Sequence, residues 1–150
     1  MKSLFDEGAH QELLSRIEKL NENTSANWGK MSVDQMLKHC QVPLEVAIGN
    51  KELNSKIGFM KKLLFKAFKP AMYNDKLWNQ NIPTAKEYVV TQKHDFDTEK
   101  EELKNVINEF STLKSKTNWP KHPFFGNFTT EQWGKLQYKH LDHHLRQFGA

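Results

Sequence analysis

Apolar residues recur at helical spacing in five segments of this chain, and this pattern constrains its fold more than any other feature. In the first segment, Leu13, Ile17 and Leu20 lie three or four residues apart. That interval lines one face of an α-helix. The five predicted helices run from about Ala9 to Leu20, Ser32 to Ile48, Lys56 to Lys69, Thr98 to Leu113, and Thr129 to the C-terminal histidines.

Three of the helix starts carry a capping box. In this motif a Ser or Thr side chain bonds the amide three residues on, and a Glu or Gln at that position bonds back. Pro70 ends the third segment because proline cannot continue a helix. The predicted boxes are Ser32 with Gln35, Thr98 with Glu101, and Thr129 with Gln132.

The connections between segments indicate the architecture. Segments one and two are joined closely, as are four and five, whereas nearly fifty residues separate two from four. This spacing is typical of a four-helix bundle with one long crossover, in which the third segment is an extra helix. The strand-like run from Tyr88 to Thr91 is too isolated to form a sheet. We therefore predict an all-α protein with a single domain over residues 1–150.

Length and cysteine content narrow the class of protein. A chain of 150 residues is long enough for one core and too short to need two domains. The single cysteine, Cys40, excludes an internal disulfide framework and suits a reducing compartment. The chain has no apolar stretch that could cross a bilayer, and its start lacks the apolar run of a signal peptide. We expect a cytoplasmic protein with no membrane partner.

The charge of the chain permits an anionic partner without requiring one. The net charge is +4, but the basic residues are spread along the chain among eighteen acidic ones. A nucleic-acid-binding protein more often shows a concentrated basic stripe, so a nucleic-acid partner is not favoured.

The third segment is basic and amphipathic. It separates apolar residues (Ile57, Met60, Leu64, Ala67 and Phe68) from lysines (Lys62, Lys66 and Lys69). Such a helix can lie on an acidic membrane surface. The favoured alternative is a helix that covers the bundle, because an aromatic-rich apolar face needs burial.

The clearest chemical signal is a histidine cluster near the end of the fifth helix. His140 and His144 stand at i and i+4, where helical side chains are neighbours. They lie on the apolar face, toward the expected core, and an inward polar ring costs free energy unless it finds a partner. His143 lies at the edge of that face, which indicates a supporting or surface role. The opposite face carries Lys135, Lys139, Asp142 and Arg146.

A third candidate ligand is His39 on the second helix. It borders the apolar stripe of that helix and can reach the bundle interior. Three histidines from two facing helices predict a divalent-metal site, since zinc sites with catalytic roles usually have three protein ligands. The alternative is a set of hydrogen-bonded core histidines. Cys40 points about 100° away from His39 and is a small core residue; the remaining histidines (His10, His94 and His122) are expected at the surface or in loops.

Several motifs resemble the DinB/YfiT-like superfamily of metal-binding four-helix bundles over almost the whole chain. More closely, the chain resembles a branch known only as a domain of unknown function, family 1569. The resemblance rests on residues 28–32, 35–40, 122–126 and 133–149. It implies a zinc or nickel ion held by His39, His140 and His144. The typical ending His-His-Arg-Gly-Gln reads His143-His144-Leu145-Arg146-Gln147 here.

Some members of that superfamily are thiol-dependent enzymes. The resemblance therefore implies a metal-dependent thiol S-transferase, isomerase or hydrolase that acts on a small molecule or thiol, with no catalytic residue assigned. The alternative is a non-catalytic, stress-related or ligand-binding protein whose metal is structural. A homodimer is expected on the same grounds.

Overall fold

A computed structural model describes residues 1–53 and 58–150 of the chain. Within these residues there are five α-helices and no strand, so the predicted all-α class is confirmed. None of the helices described is long and apolar enough to span a membrane. The helices are α1 (Glu7–Glu18), α2 (Val33–Ile48), α3 (Phe59–Phe68), α4 (Phe96–Ser111) and α5 (Thr130–Gln147).

Two of the three predicted helix starts are confirmed. Gln35 Oε1 accepts the Ser32 amide at 3.1 Å before α2, and the reciprocal box of Thr129 and Gln132 opens α5. The predicted start of α4 is wrong: its N-cap is Asp95, whose carboxylate accepts the Thr98 amide at 2.9 Å. The predicted start of α3 at residue 56 lies outside the described residues.

The core forms where α1, α2, α4 and α5 pack against one another. Each fully buried Leu or Ile side chain contributes about 1.5–3 kcal/mol of hydrophobic free energy relative to an exposed one. The long connection over residues 49–95 joins α2 to α4 and includes α3. The largest fully buried side chains include Leu13 and Ile17 (α1), Met36 and Leu44 (α2), Ile107 and Phe110 (α4), and Trp133 and Leu141 (α5).

The charged face of α5, opposite the histidines, is partly covered: Lys139 and Asp142 are buried, whereas Arg146 is exposed. The Lys139 ammonium is buried and donates to the carbonyl oxygens of Ala71 and Asn74, at 2.8 and 3.0 Å. Asp142 is buried as well, and its carboxylate accepts from Arg16 at 2.7 Å. The long connection and α1 pack against these two residues of the charged face.

The apolar face of α3 is exposed, which contradicts the expectation that it covers the bundle. Met60, Leu64 and Phe68 were expected to be buried against the bundle, yet each exposes more than half of its surface. Phe65, on the other side of the helix, contacts the rings of Phe124 and Phe125, each at 5.5 Å. Phe65 therefore attaches the helix to the loop before α5, while Met60, Leu64 and Phe68 are uncovered.

Candidate metal centre

Three buried histidines from two helices lie together inside the protein. The ring centroids of His39, His140 and His144 are 4.7–5.0 Å apart, and one nitrogen of each lies within 4.8 Å of the others. His39 Nε2 is 3.1 Å from His140 Nε2. These are the three residues that the sequence indicated, and they could hold a metal ion.

The two helices bring these side chains together by simple geometry. The one-turn separation of His140 and His144 places both on the side of α5 that meets α2. A buried amide, Gln137 Nε2, donates to the carbonyl oxygen of Pro43 at 3.0 Å and links α5 to α2 beside the cluster. Pro43 remains inside α2, which runs on to Ile48.

The protonation of His39 follows from its backbone partner. His39 Nδ1 lies 2.8 Å from the carbonyl oxygen of Tyr88. A carbonyl oxygen can only accept, so Nδ1 carries the hydrogen and donates it. In the neutral ring, Nε2 therefore presents a lone pair to the cluster. Metal-binding histidines are commonly oriented by such a partner.

A chain of two hydrogen bonds orients His144 in the same way. The Gln147 side-chain amide donates through Nε2 to the carbonyl oxygen of Trp28 at 2.7 Å. Its Oε1 is thereby left to accept from His144 Nδ1 at 2.8 Å. In the neutral ring, His144 Nε2 therefore also carries a lone pair.

Gly29 makes room for the Gln147 amide. Its φ is +84°, a left-handed conformation that favours glycine. A Cβ at this position would lie 2.5 Å from Gln147 Nε2. The turn at residues 28–29 therefore supports the orientation of His144 from outside α5.

His140 has a different environment. Its Nδ1 is buried and has no hydrogen-bond partner among the described residues. Its Nε2 faces the lone pair of His39 Nε2, so either His140 donates an N–H there or a cation lies between two lone pairs. Trp78 covers the ring, with centroids 6.1 Å apart.

Burial keeps all three rings neutral. It lowers the pKa of His39, against the opposing hydrogen bond to Tyr88, and lowers that of His140 well below its ordinary value. It lowers the pKa of His144 to about 3, with a smaller contribution from the neighbouring His39. Neutral imidazole is the form that binds metal.

Two cavities lie near this cluster, and His143 and Trp28 line both of them. The first, of about 310 Å³, is lined by His144, Gln147 and Tyr88 together with apolar side chains. The second, of about 270 Å³, is lined by Trp78 and by charged residues of both signs from α5, and by none of the three clustered histidines. His143 is half-buried and borders both cavities. The cluster therefore has space for a small molecule beside it.

The other histidines and Cys40 lie outside the cluster. His10 is partly exposed and bonds Asn108, and His94 pairs with Glu99. Cys40 is buried and contacts Met36, as expected for a small core residue.

His122 lies in the loop before α5, one of the two locations expected for it, but it is buried there and not at the surface. It is buried among the rings of four aromatic residues, where burial lowers its pKa to about 3. Its Nδ1 accepts the amides of Phe124 and Phe125, at 3.1 and 3.3 Å. The prolines and the glycine that signalled a turn could not reveal that the turn folds inward over α5.

The supporting residues were largely missed from the sequence. Tyr88 acts through a backbone carbonyl, which has no signature in the sequence, and its segment was interpreted as strand-like although Lys86–Tyr88 is a 3₁₀ turn. The orienting role of Gln147 was missed, although its position on the inward face of α5, one turn after His144, was the available signal. Trp28 was noticed only as part of the family resemblance.

Comparison with known proteins gives one match. The family described as "Protein of unknown function (DUF1569)" matches residues 4–150. Neither the curated proteins nor the solved structures that were searched gave a match. Since the family match covers nearly the whole chain, the protein belongs to the DUF1569 family of proteins of unknown function.

Proposed function

We propose that this protein binds one divalent metal ion, zinc or nickel, through the Nε2 atoms of His39, His140 and His144. The observation that carries the proposal is the convergence of three buried, neutral imidazoles, two of which have Nδ1 committed to a fixed acceptor. Lone pairs that face one another without a proton repel, and a cation removes that repulsion.

The spacing of the ligand atoms fits such an ion. With metal–nitrogen distances of about 2.0–2.1 Å, two nitrogens of a tetrahedral site are about 3.3 Å apart, and those of an octahedral site about 3.0 Å apart. The 3.1 Å between His39 Nε2 and His140 Nε2 accommodates both geometries. The ligand atom of His144 lies within 4.8 Å of the other two, and its ring moves closer to them when all three bind one ion.

The adjoining cavity supports a catalytic use of the metal. A bound divalent ion lowers the pKa of a water or thiol ligand, which makes it a nucleophile at neutral pH. His144 and Gln147 form part of the wall of the 310 Å³ cavity, so a small molecule bound there lies beside the metal ligands. We propose a reaction of the thiol S-transfer, isomerisation or hydrolysis type on a small molecule.

A second candidate function is a non-catalytic, stress-related or ligand-binding protein with a structural metal. The observation in its favour is the depth of the site: His39 is 4% exposed and His144 is 7% exposed. In that case the metal stabilises the contact between α2 and α5, and the cavities hold a ligand without reaction.

The wider setting of the protein is also a proposal. The order of the helices, with a long connection after α2, supports membership of the DinB/YfiT-like superfamily and a single four-helix-bundle domain over residues 1–150. Location in the cytoplasm and assembly as a homodimer remain predictions.

Metal analysis tests the proposed site. Protein purified without chelator and without nickel resin is expected to contain close to one equivalent of metal, or to recover it when zinc or nickel is added. The His144→Ala variant is expected to lose it. His143→Ala is the matched control, because His143 is the adjacent histidine outside the cluster. Wild-type protein that takes up no metal refutes the proposal.

Activity assays separate the two candidate functions. The metal-loaded protein is assayed with bacillithiol or glutathione and a panel of electrophiles, beside the His144→Ala variant. A rate that depends on His144 supports the enzyme. Rates equal to those of the variant, in a protein that binds metal, favour the structural role.

A further inference from the structure

A solvent-facing apolar surface on α3 lies apart from the histidine cluster. Four of the seven large apolar side chains that are exposed in the described part of the chain belong to this one helix. They are Met60 (74% exposed), Leu63 (57%), Leu64 (57%) and Phe68 (56%). Single exposed apolar residues are normal, but a contiguous group marks an interaction surface.

These side chains form one continuous face. On a helical wheel with about 100° per residue, the four residues fall within an arc of about 140°. Leu63 and Phe68 lie at the two ends of this arc. Phe65 lies outside this arc and attaches the helix to Phe124 and Phe125. The attachment therefore holds the helix with its apolar face turned away from the body of the protein.

The charge of α3 indicates what covers this face. Lysines occupy positions 61, 62 and 66, and the helix contains no acidic residue. On the helical wheel, positions 61 and 66 border the apolar arc on its two sides. An apolar face bordered by lysines is the pattern of a helix that lies in the interface of an anionic membrane.

We propose that α3 docks this protein on an anionic lipid surface, with its apolar face at the acyl-chain boundary and its lysines among the headgroups. A second copy of the chain fits this surface less well, because two α3 helices facing each other would bring lysines together with no acid between them. The proposal departs from the expectation of no membrane partner because the face that was expected to be buried is exposed.

Vesicle co-sedimentation tests the proposal. The full chain is mixed with phosphatidylcholine vesicles that either contain or lack phosphatidylserine. It is expected to sediment only with the anionic vesicles and to be released by high salt. Leu64→Glu combined with Phe68→Glu is expected to weaken binding at least about tenfold, since it removes apolar contact and adds negative charge. Lys66→Glu is expected to weaken binding by about fivefold or more.

A matched control isolates α3. Leu77→Glu makes the same chemical change at a residue that is 64% exposed and outside α3, and it is expected to bind vesicles as the wild type does. Circular dichroism and thermal unfolding check that each variant is folded. Three results overturn the proposal: no binding to anionic vesicles, equal binding to neutral vesicles, or equal losses in the Leu77 and α3 variants. A dimer that the α3 double variant disrupts, without vesicle binding, assigns the surface to a second copy instead.

Discussion

Replacement of Gln147 by Met is expected to weaken metal binding while leaving all three histidines in place. The Gln147 amide is buried and connects two partners, accepting from His144 Nδ1 at 2.8 Å and donating to the Trp28 carbonyl oxygen at 2.7 Å. Methionine preserves most of the volume and removes both hydrogen bonds. His144 is then free to rotate or to change tautomer, so that its Nε2 no longer points reliably at the cluster.

The size of this effect follows from the role of a residue that orients a ligand. Loss of such a partner commonly lowers metal affinity by about 10–100-fold, equivalent to about 1.4–2.7 kcal/mol. Stability of the metal-free protein also falls, because a buried N–H and a buried carbonyl each lose a partner at about 1–3 kcal/mol. Competition with a chromophoric chelator measures zinc affinity on the folded protein, and urea denaturation measures stability separately.

The control is Gln41→Met. Gln41 is an equally buried amide on α2, but it bonds Glu99 at 2.7 Å and not the histidines. This variant is expected to lose stability without losing zinc affinity. The reasoning is refuted if Gln147→Met binds zinc as tightly as the wild type, or if Gln41→Met weakens binding to the same extent.

Three further changes test other features of the structure. Gly29→Ala is expected to lower zinc affinity by about tenfold, because its Cβ displaces the Gln147 amide. The control is Gly49→Ala, which is also at positive φ but has nothing within 4 Å of its Cβ, and which is expected to lower only stability, by about 1 kcal/mol. Equal zinc affinities in the two variants refute this prediction. Gly134→Ala forces the N-terminal segment away from α5 and is expected to lower the free energy of unfolding by about 1–3 kcal/mol in urea denaturation; an unchanged midpoint contradicts it. Because burial lowers the pKa of His122 to about 3, its neutral form stabilises the fold fully above its ordinary pKa near 6.5, and that stability is lost as the pH falls toward about 3. The free energy of unfolding of His122→Asn is therefore expected to fall less steeply than that of the wild type as the pH is lowered. Parallel curves of unfolding free energy against pH for the two proteins contradict this role of His122.

The sequence predicted the helices and the histidine cluster because both depend on local rules. Periodicity and capping boxes located α2 and α5 to within a residue at their starts. The separation of His140 and His144 placed both on one face of α5, and His39 was predicted at the border of the apolar stripe of another helix, within reach of the interior. Each of these inferences needs only the geometry of one helix and the presence of a neighbour.

The errors arose where a distant segment decides the outcome. The burial of Lys139 was not predicted from the sequence, because the connection between α2 and α4 folds over it and supplies three oxygen acceptors. The apolar face of α3 was expected to be covered, and its amphipathic pattern is the same whether the face meets the bundle or the solvent. The start of α4 is a different, local error: Thr98 was predicted as the cap although Asp95, a stronger capping residue, stands three residues earlier.

The aromatic contacts around His143 give the protein its own optical reporter. The indole rings of Trp28 and Trp78 lie 5.9 and 5.6 Å from the His143 ring, and Trp78 also covers His140. Indole emission responds to nearby imidazole and is quenched by open-shell transition metals such as nickel. Two of the four tryptophans of the chain therefore stand where their fluorescence registers the loading of the cluster and the filling of either cavity, without a label.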